Sequence, residues 1–347
     1  MITDATLTRS LRLLQLEAGE QAKVIALLQK MEAELSLKLL SHNLTDFGKA
    51  RTNALLSEAK AIIADYYSRV QSEINTTLFG LAPAEAQHMA DILKEAIVSP
   101  VIAAKVTIDI GASIPTDNFL KSMVGNSMIQ GSPLSSWWSK QAGDVVFRFS
   151  AEVRQGLIAG ESNAQIISRV KEVMDIARNN AAALVQTAIQ TVANETRLAT
   201  YKKNSDISKG VRFVSTLDSH TCIVCGERDG MEWDFEGNGL NNSLTFQVPP
   251  LHVNCRCTLV DVAKSYAEMG ITGVPEIPKN GTRASSEGYV SESTTFSEYL
   301  NRKGKAFQDE VLGKGRAQMW RDGKITLGDL LNAKGRPLTL KQLRAAA

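Results

Sequence analysis

No cysteine lies outside residues 222–257 of this 347-residue chain, and neither sign of charge prevails, with 39 Lys and Arg against 37 Asp and Glu. A net charge of +2 gives no global electrostatic case for wrapping nucleic acid or lying on an anionic membrane. No run of about 18 apolar residues occurs, which argues against a membrane span. The start, Met1-Ile2-Thr3-Asp4-Ala5, lacks a basic region leading into an apolar core, so no secretory leader is expected and synthesis in a cytoplasm is. Aromatic residues are only 6% of the chain, but 44% hydrophobic and 22% charged residues suit a folded protein rather than a disordered one. At roughly 150 residues per domain, the length predicts two or three folded units.

What is present first is helical rhythm. Val24, Leu27, Leu28, Met31, Leu35 and Leu39 recur at three- and four-residue intervals, with Glu20, Lys23, Lys30, Glu32, Glu34 and Lys38 filling the remainder. Leu55, Leu56, Ala59, Ile62, Ile63, Tyr66, Val70 and Ile74 repeat the pattern, interrupted at Gly80. Pro83 can begin a new helix because its missing N–H falls among the unpaired donors of a first turn. That helix buries Ala86, Met89, Ala90, Leu93 and Ile97, and Pro100 disturbs it. Such stripes are core faces before they are anything else, a docking surface for a partner protein being the sharper alternative. Residues 108–133 turn to Gly, Ser, Pro and Asn and read as a loop or short strand pair.

Trp137-Trp138 opens a helix whose stripe of Val145, Val146, Phe149, Val153 and Leu157 ends at Gly160. Ser162 is an N-cap for a helix burying Ile166, Ile167, Val170 and Val173. The Ala-rich run from Ala181 to Tyr201 reads as a further helix, with Val185, Ile189, Val192, Thr196 and Ala199 on one side. Its polar residues Gln186, Asn194, Glu195 and Arg197 are expected on a solvated face. Isolated His42 and His88 on helical stretches carry no evident chemistry.

The chemistry lies in one stretch. After the β-like run Val211-Arg212-Phe213-Val214 comes Cys222-Ile223-Val224-Cys225-Gly226, a turn that presents two sulfurs to one ion, and then His252-Val253-Asn254-Cys255-Arg256-Cys257. Cys222, Cys225 and His252 with either Cys255 or Cys257 would close a tetrahedral structural zinc site, and four thiolates are the variant. A lone C-x-x-C also marks redox centres, so a thiol oxidoreductase with a reactive Cys222 and a disulfide pairing are the competing readings. His220 reads as a turn residue. The nucleobase-deaminase pattern is not matched, since His252 is followed by Val253-Asn254 and Cys222 is preceded by Thr221. Asp218, Glu227, Asp229 and Asp234 are nearby acids, but four S or N ligands leave no open position for a catalytic water. A zinc-stabilised, HNH-like nuclease acting on DNA is the enzymatic alternative, and it would need His220 or His252 as base. No catalytic residue is nominated.

Residues 270–295 hold 14 Gly, Pro, Ser or Thr among 26 and read as an extended linker. Residues 296–347 carry 11 Lys or Arg against 5 Asp or Glu, leaving a net −4 on the rest of the chain. Phe307, Val311, Leu312, Met319, Trp320, Ile325, Leu327, Leu330, Leu331, Leu338, Leu340 and Leu343 supply apolar surface for a small helical module, near the lower size limit for independent stability. The expected architecture is mainly α: a helical N-terminal region (1–133), an α+β central domain with a zinc-stapled β/loop element (134–269), the linker (270–295) and a basic helical module (296–347).

The string Asp218, Cys222, Cys225, Asp229-Gly230, Pro250 and His252-Val253-Asn254-Cys255-Arg256-Cys257 resembles the head morphogenesis domain of phage Mu F-like minor head proteins. Trp137-Trp138, Gly160-Glu161-Ser162 and the helix leading into the cysteine region are similar as well, giving a resemblance over roughly 134–262. Phe307-Gln308, Val311-Leu312-Gly313, Arg316 and Leu338-Thr339-Leu340 look like the tail of some members. The resemblance implies a structural virion component rather than an enzyme. It would be present in few copies, would join the portal vertex during head assembly, and would affect DNA packaging or delivery. Its implied partners are the portal and other capsid proteins, with packaged DNA a further one through the basic module. Some relatives carry a toxin or enzyme domain after the head domain, and the 90 residues after Cys257 are too few for most such additions.

Overall fold

A computed structural model describes residues 2–41, 49–104, 111–277, 281–332 and 335–346. Helix α1 (Ile2–Ser41) and helix α2 (Lys49–Leu93) carry the first two stripes, and Val24, Leu28, Met31, Leu35, Leu55, Ile63, Val70 and Ile74 are all buried. Glu20, expected among the solvated residues, is buried beside Glu17. Helix α2 differs from the expected break, because it runs unbroken through Gly80 and Pro83. Both lie on its outer face, while Leu78, Leu81, Ala82 and Ala86 on either side are anchored in the core. Packing there outweighs the roughly 3 kcal/mol that an interior proline costs. Pro100 does disturb the chain: the α-register gives way to a π turn at Lys94–Val98 before α3 (Ser99–Ala103).

Within the segment expected to be loop or strand pair, residues 108–110 lie outside the described set, as does His42 on its own stretch. The strand pair is present as β1 (Met128–Ile129) and β2 (Ser132–Pro133), but it follows a helix, α4 (Asp117–Asn126). That helix is nucleated by Thr116, whose hydroxyl accepts from the Phe119 amide. Helix α5 (Leu134–Ile158) ends at left-handed Gly160, and Ser162 caps the next helix in a capping box with Gln165. The two helices expected beyond Ser162 are one, α6 (Asn163–Lys203). Helices α1, α2 and α5 all pack on α6 and share one apolar core, which crosses the expected division at 133/134.

The polar face of α6 is the larger correction. Asn194 and Arg197 are fully buried, together with Thr187, Gln190, Thr191 and Thr200. Burying them is tolerable because each finds partners. Arg197 donates to the Glu85 carboxylate at 2.7 Å, to Ser10 Oγ at 2.9 Å and to the Thr258 hydroxyl, and Gln190 donates to Glu17 at 2.5 Å.

Beyond α6, β3 (Ser208–Val214) is the centre of a three-stranded antiparallel sheet, flanked by β4 (Glu232–Trp233) and β5 (Thr258–Ala263). The short helix α7 (Ile223–Arg228) lies between β3 and β4. The segment expected to be an extended linker contains a hairpin, β6 (Thr282–Ser285) and β7 (Gly288–Ser291). Its Arg283 is buried in an ion pair with Asp229 at 2.9 Å, which holds the hairpin to the end of α7. Helices α8 (Phe296–Asn301), α9 (Lys305–Leu312), α10 (Lys314–Arg321) and α11 (Leu340–Ala346) then assemble the C-terminal core. Each apolar residue named for the module from Phe307 to Leu343 lies in or against that core, and Leu217 and Ile223 from the cysteine region join it.

Candidate metal centre

Two chain segments meet to form the centre. The first leaves β3 through a turn in which the Asp218 carboxylate accepts from the His220 amide at 2.9 Å, and Cys222 then caps α7. Cys225 follows within the first turn, so both sulfurs face the same side. Gly226 has no room for a side chain: a Cβ there would sit 2.4 Å from Phe296 Cδ1. The second segment runs from His252 to Cys257 and reverses at Asn254, whose φ of 61° is a conformation asparagine tolerates better than most residues. The Asn254 amide donates to Thr187 on α6 at 3.2 Å. Asn194 holds the segment's far end, donating to the Cys257 carbonyl at 3.2 Å and accepting from the Leu259 amide at 2.9 Å. A bidentate Arg256–Asp218 pair, at 2.7 and 2.8 Å, latches the two segments together.

The result is two donor triads that share one sulfur, Cys222–Cys225–His252 and Cys225–Cys255–Cys257, each with its ligand atoms within 4.8 Å of one another. All five residues singled out in the sequence therefore converge. His252 Nε2 lies 3.2 Å from Cys222 Sγ and 3.3 Å from Cys225 Sγ, and Cys225 Sγ lies 3.7 Å from Cys255 Sγ. Zinc at about 2.3 Å from sulfur and about 2.0 Å from imidazole nitrogen separates neighbouring ligands in a regular tetrahedron by about 3.5–3.8 Å. These three donor pairs stand close to that spacing. His252 Nδ1 lies 2.8 Å from the Val253 carbonyl, an arrangement that places the proton there and leaves Nε2 free to ligate. All four cysteines are free thiols, and three are buried.

Crowding splits their ionisation. Cys222 is drawn down to about 4 by a hydrogen bond from Cys225 and by His252. Cys255 is lowered by hydrogen bonds from Cys225 and Cys257. Cys225 is raised by its hydrogen-bonding contacts with Cys222 and Cys255 and by burial. Cys257, against a hydrogen bond to Cys225 that lowers it, is raised by its bond to Cys255 and by burial. His252 is pushed up to about 11 by Cys222 and Cys255. Anionic sulfur thus concentrates in a half-buried cluster, the environment a soft divalent cation neutralises.

His220 is exposed in its turn and belongs to neither triad, and His88 is half-buried on α2. Three of the four nearby acids have other partners. Asp218 binds Arg256, Asp229 accepts from Arg283 and from the Ser215 and Phe296 amides, and Asp234 caps its own loop through Asn238. What the sequence reading missed is the support from α6, since neither Thr187 nor Asn194 announces itself by spacing.

The described residues from α5 to β5 also carry the match to known proteins: residues 148–260 fit the family described as phage Mu protein F like protein. Over this segment the chain is similar to the Mu F-like family. The matched segment includes all five cluster residues, the whole of α6 and the sheet strand β3. A curated relative, the NAD(+)--arginine ADP-ribosyltransferase EFV of Enterococcus faecalis (strain ATCC 700802 / V583), is 24% identical over 204 residues. The alignment covers 56% of this chain and 40% of the relative, so the chain spans well under half of that protein's length. No solved structure matches the chain.

Proposed function

We propose that this chain is a minor head protein of a tailed bacteriophage, acting structurally at or near the portal vertex in head assembly and in DNA packaging or delivery. The observation that carries the reading is the Mu F-like match across the segment that holds the donor cluster. In this reading zinc is held by Cys222, Cys225, His252 and Cys255, and Cys257 is the buried neighbour. Cys255 is preferred because its sulfur lies 3.7 Å from Cys225 Sγ. The ion supplies a cross-link, and the protein supplies its orientation through Asn194, Thr187 and the Arg256–Asp218 latch. Residues 1–133 and 134–269 act as one body around α6, with 296–347 appended as a basic module.

The partners in this reading are the portal protein and other capsid proteins, with packaged DNA a further one, and the location is the virion. No described helix is long and apolar enough to cross a membrane. The nuclease alternative gains nothing from the geometry, since Nε2 of His252 is turned to two sulfurs and His220 stands apart. The test is incorporation. A tagged chain expressed during phage growth should co-purify with heads and cross-link to the portal, and carry about one zinc per chain by elemental analysis. Absence from both procapsids and finished particles would overturn the head assignment.

A further inference from the structure

Much of the positive charge of the C-terminal module is not used by its own fold. Among the described residues of 296–346, Lys303 and Arg321 have carboxylate partners. Arg316 is turned to the Leu338 carbonyl at 2.7 and 3.2 Å. Arg302, Lys305, Lys314, Lys324, Lys341 and Arg344 are exposed, and no carboxylate among the described residues lies in ion-pair reach of any of them.

Three of these are brought together by the fold. Helices α10 and α11 begin against each other, with Gly315 so close to Leu340 that a Cβ on it would lie 2.6 Å from Leu340 Cδ2. Lys314 precedes Gly315 and Lys341 follows Leu340, so the two exposed lysines flank the same helix junction. Arg344 follows Lys341 by three residues, hence on the same helical face. The arrangement places three exposed positive charges around one junction, where a polyanion would find them without an intramolecular competitor.

The chemistry of that anion follows from what else the module shows. A protein interface is expected to present an apolar or aromatic anchor. The large exposed hydrophobic side chains of this chain run from Leu11 to Tyr289, and none falls in the described part of 296–346. Single-stranded nucleic acid is held by exposed aromatic side chains on which bases stack. Here Phe296 and Tyr299 are buried, and Phe307 and Trp320 pack against the core. Cations without anchors or stacking platforms suit a partner read through its phosphates alone.

We propose that the α10–α11 junction binds the phosphate backbone of duplex DNA, without sequence preference, through Lys314, Lys341 and Arg344. This deepens the DNA contact in the function proposed above by naming its form and its site. Three phosphates neutralised at a slope of about 0.9 each weaken binding about fortyfold between 50 and 200 mM salt.

The experiment is fluorescence anisotropy on the full chain with a 30-base-pair duplex, a single strand of equal length and polyglutamate as competitor. The triple variant Lys314→Glu, Lys341→Glu, Arg344→Glu is compared with Lys60→Glu, an exposed reversal on α2, and thermal unfolding checks that both remain folded. Expected are duplex binding tighter than single-strand binding, a salt slope reduced by about three in the triple variant, and no change in Lys60→Glu. Equal duplex binding by the triple variant, tighter binding of the single strand, or displacement by polyglutamate at equal charge would each overturn the proposal. Failure to bind DNA by a chain that still enters heads counts against this proposal alone. Exclusion from heads with DNA binding intact counts against the head assignment alone.

Discussion

Cys225 is the sulfur common to both donor triads, so Cys225→Ser is the change that most fully dismantles the proposed zinc staple. The staple closes a loop of some 35 residues between the two segments. Cross-linking a loop of that length removes unfolded-state entropy worth about 4 kcal/mol. For a unit of 150–250 residues each kcal/mol moves Tm by about 2–4 °C, so the variant should melt roughly 8–16 °C lower. The loss should not stay local. Helix α7 carries Cys225 on one side and presents Ile223 and Gly226 to the C-terminal core on the other, where the Phe296 ring lies against Gly226. Loosening α7 therefore loosens the docked module, and limited proteolysis should release a fragment beginning near residues 264–281. Elemental zinc, the melting curve and the proteolysis rate are measured together, with His220→Ala as a control outside both triads. A Cys225→Ser protein that keeps about one zinc per chain, or melts within 2 °C of the parent, would refute the reasoning.

Two further outcomes are expected. Glu85 accepts from Arg197 and Arg9, each at 2.7 Å, in a site where Arg197 and Glu85 are essentially inaccessible. Glu85→Gln leaves the Arg197 charge under-compensated and should cost about 3 kcal/mol in urea unfolding, and a loss below 1 kcal/mol would show the pair to be unimportant. Asp261 on β5 is pushed up to about 7 by burial, against a hydrogen bond from Ser208 and the charge of Arg212. Between its ordinary value near 4 and 7 the unfolded chain gives up a proton that the native chain keeps, so Asp261 makes stability fall as pH rises through that window. Asp261→Asn should flatten this slope and leave the protein more stable at pH 8 by about 4 kcal/mol, and an unchanged slope between pH 4 and 7 would exclude Asp261 as its source.

Features written in short-range chemistry were legible in the sequence. The Ser162 cap, the Gly160 stop, the disturbance at Pro100 and the paired C-x-x-C and His-x-x-Cys-x-Cys runs each depend on residues a few positions apart, so spacing alone conveys them. Misread features depend on distant partners. Pro83 looks like a boundary because the cost of an interior proline is local, whereas Ala82 and Ala86 repay it by packing against other helices. Residues 270–295 look like linker because the reason for their hairpin, the buried Arg283–Asp229 pair, spans 54 positions.

The polar residues of α6 show best why composition cannot separate a solvated face from a structural one. Asn194 reaches Cys257 and Leu259, 63 and 65 positions away, and Arg197 reaches Glu85 across 112. An amphipathic pattern reports only where apolar residues recur, and it assigns everything else to water by default. Here the helix has two buried sides: an apolar one that gathers α1, α2 and α5, and a polar one that holds the donor-bearing segment through side-chain hydrogen bonds to its backbone. Backbone recognition of this kind tolerates change in the side chains it supports but not in the amide or hydroxyl that supports them. Asn194 and Thr187 are therefore where the helical body and the cluster are joined, and a change at either should disturb the geometry of the sulfurs without touching one.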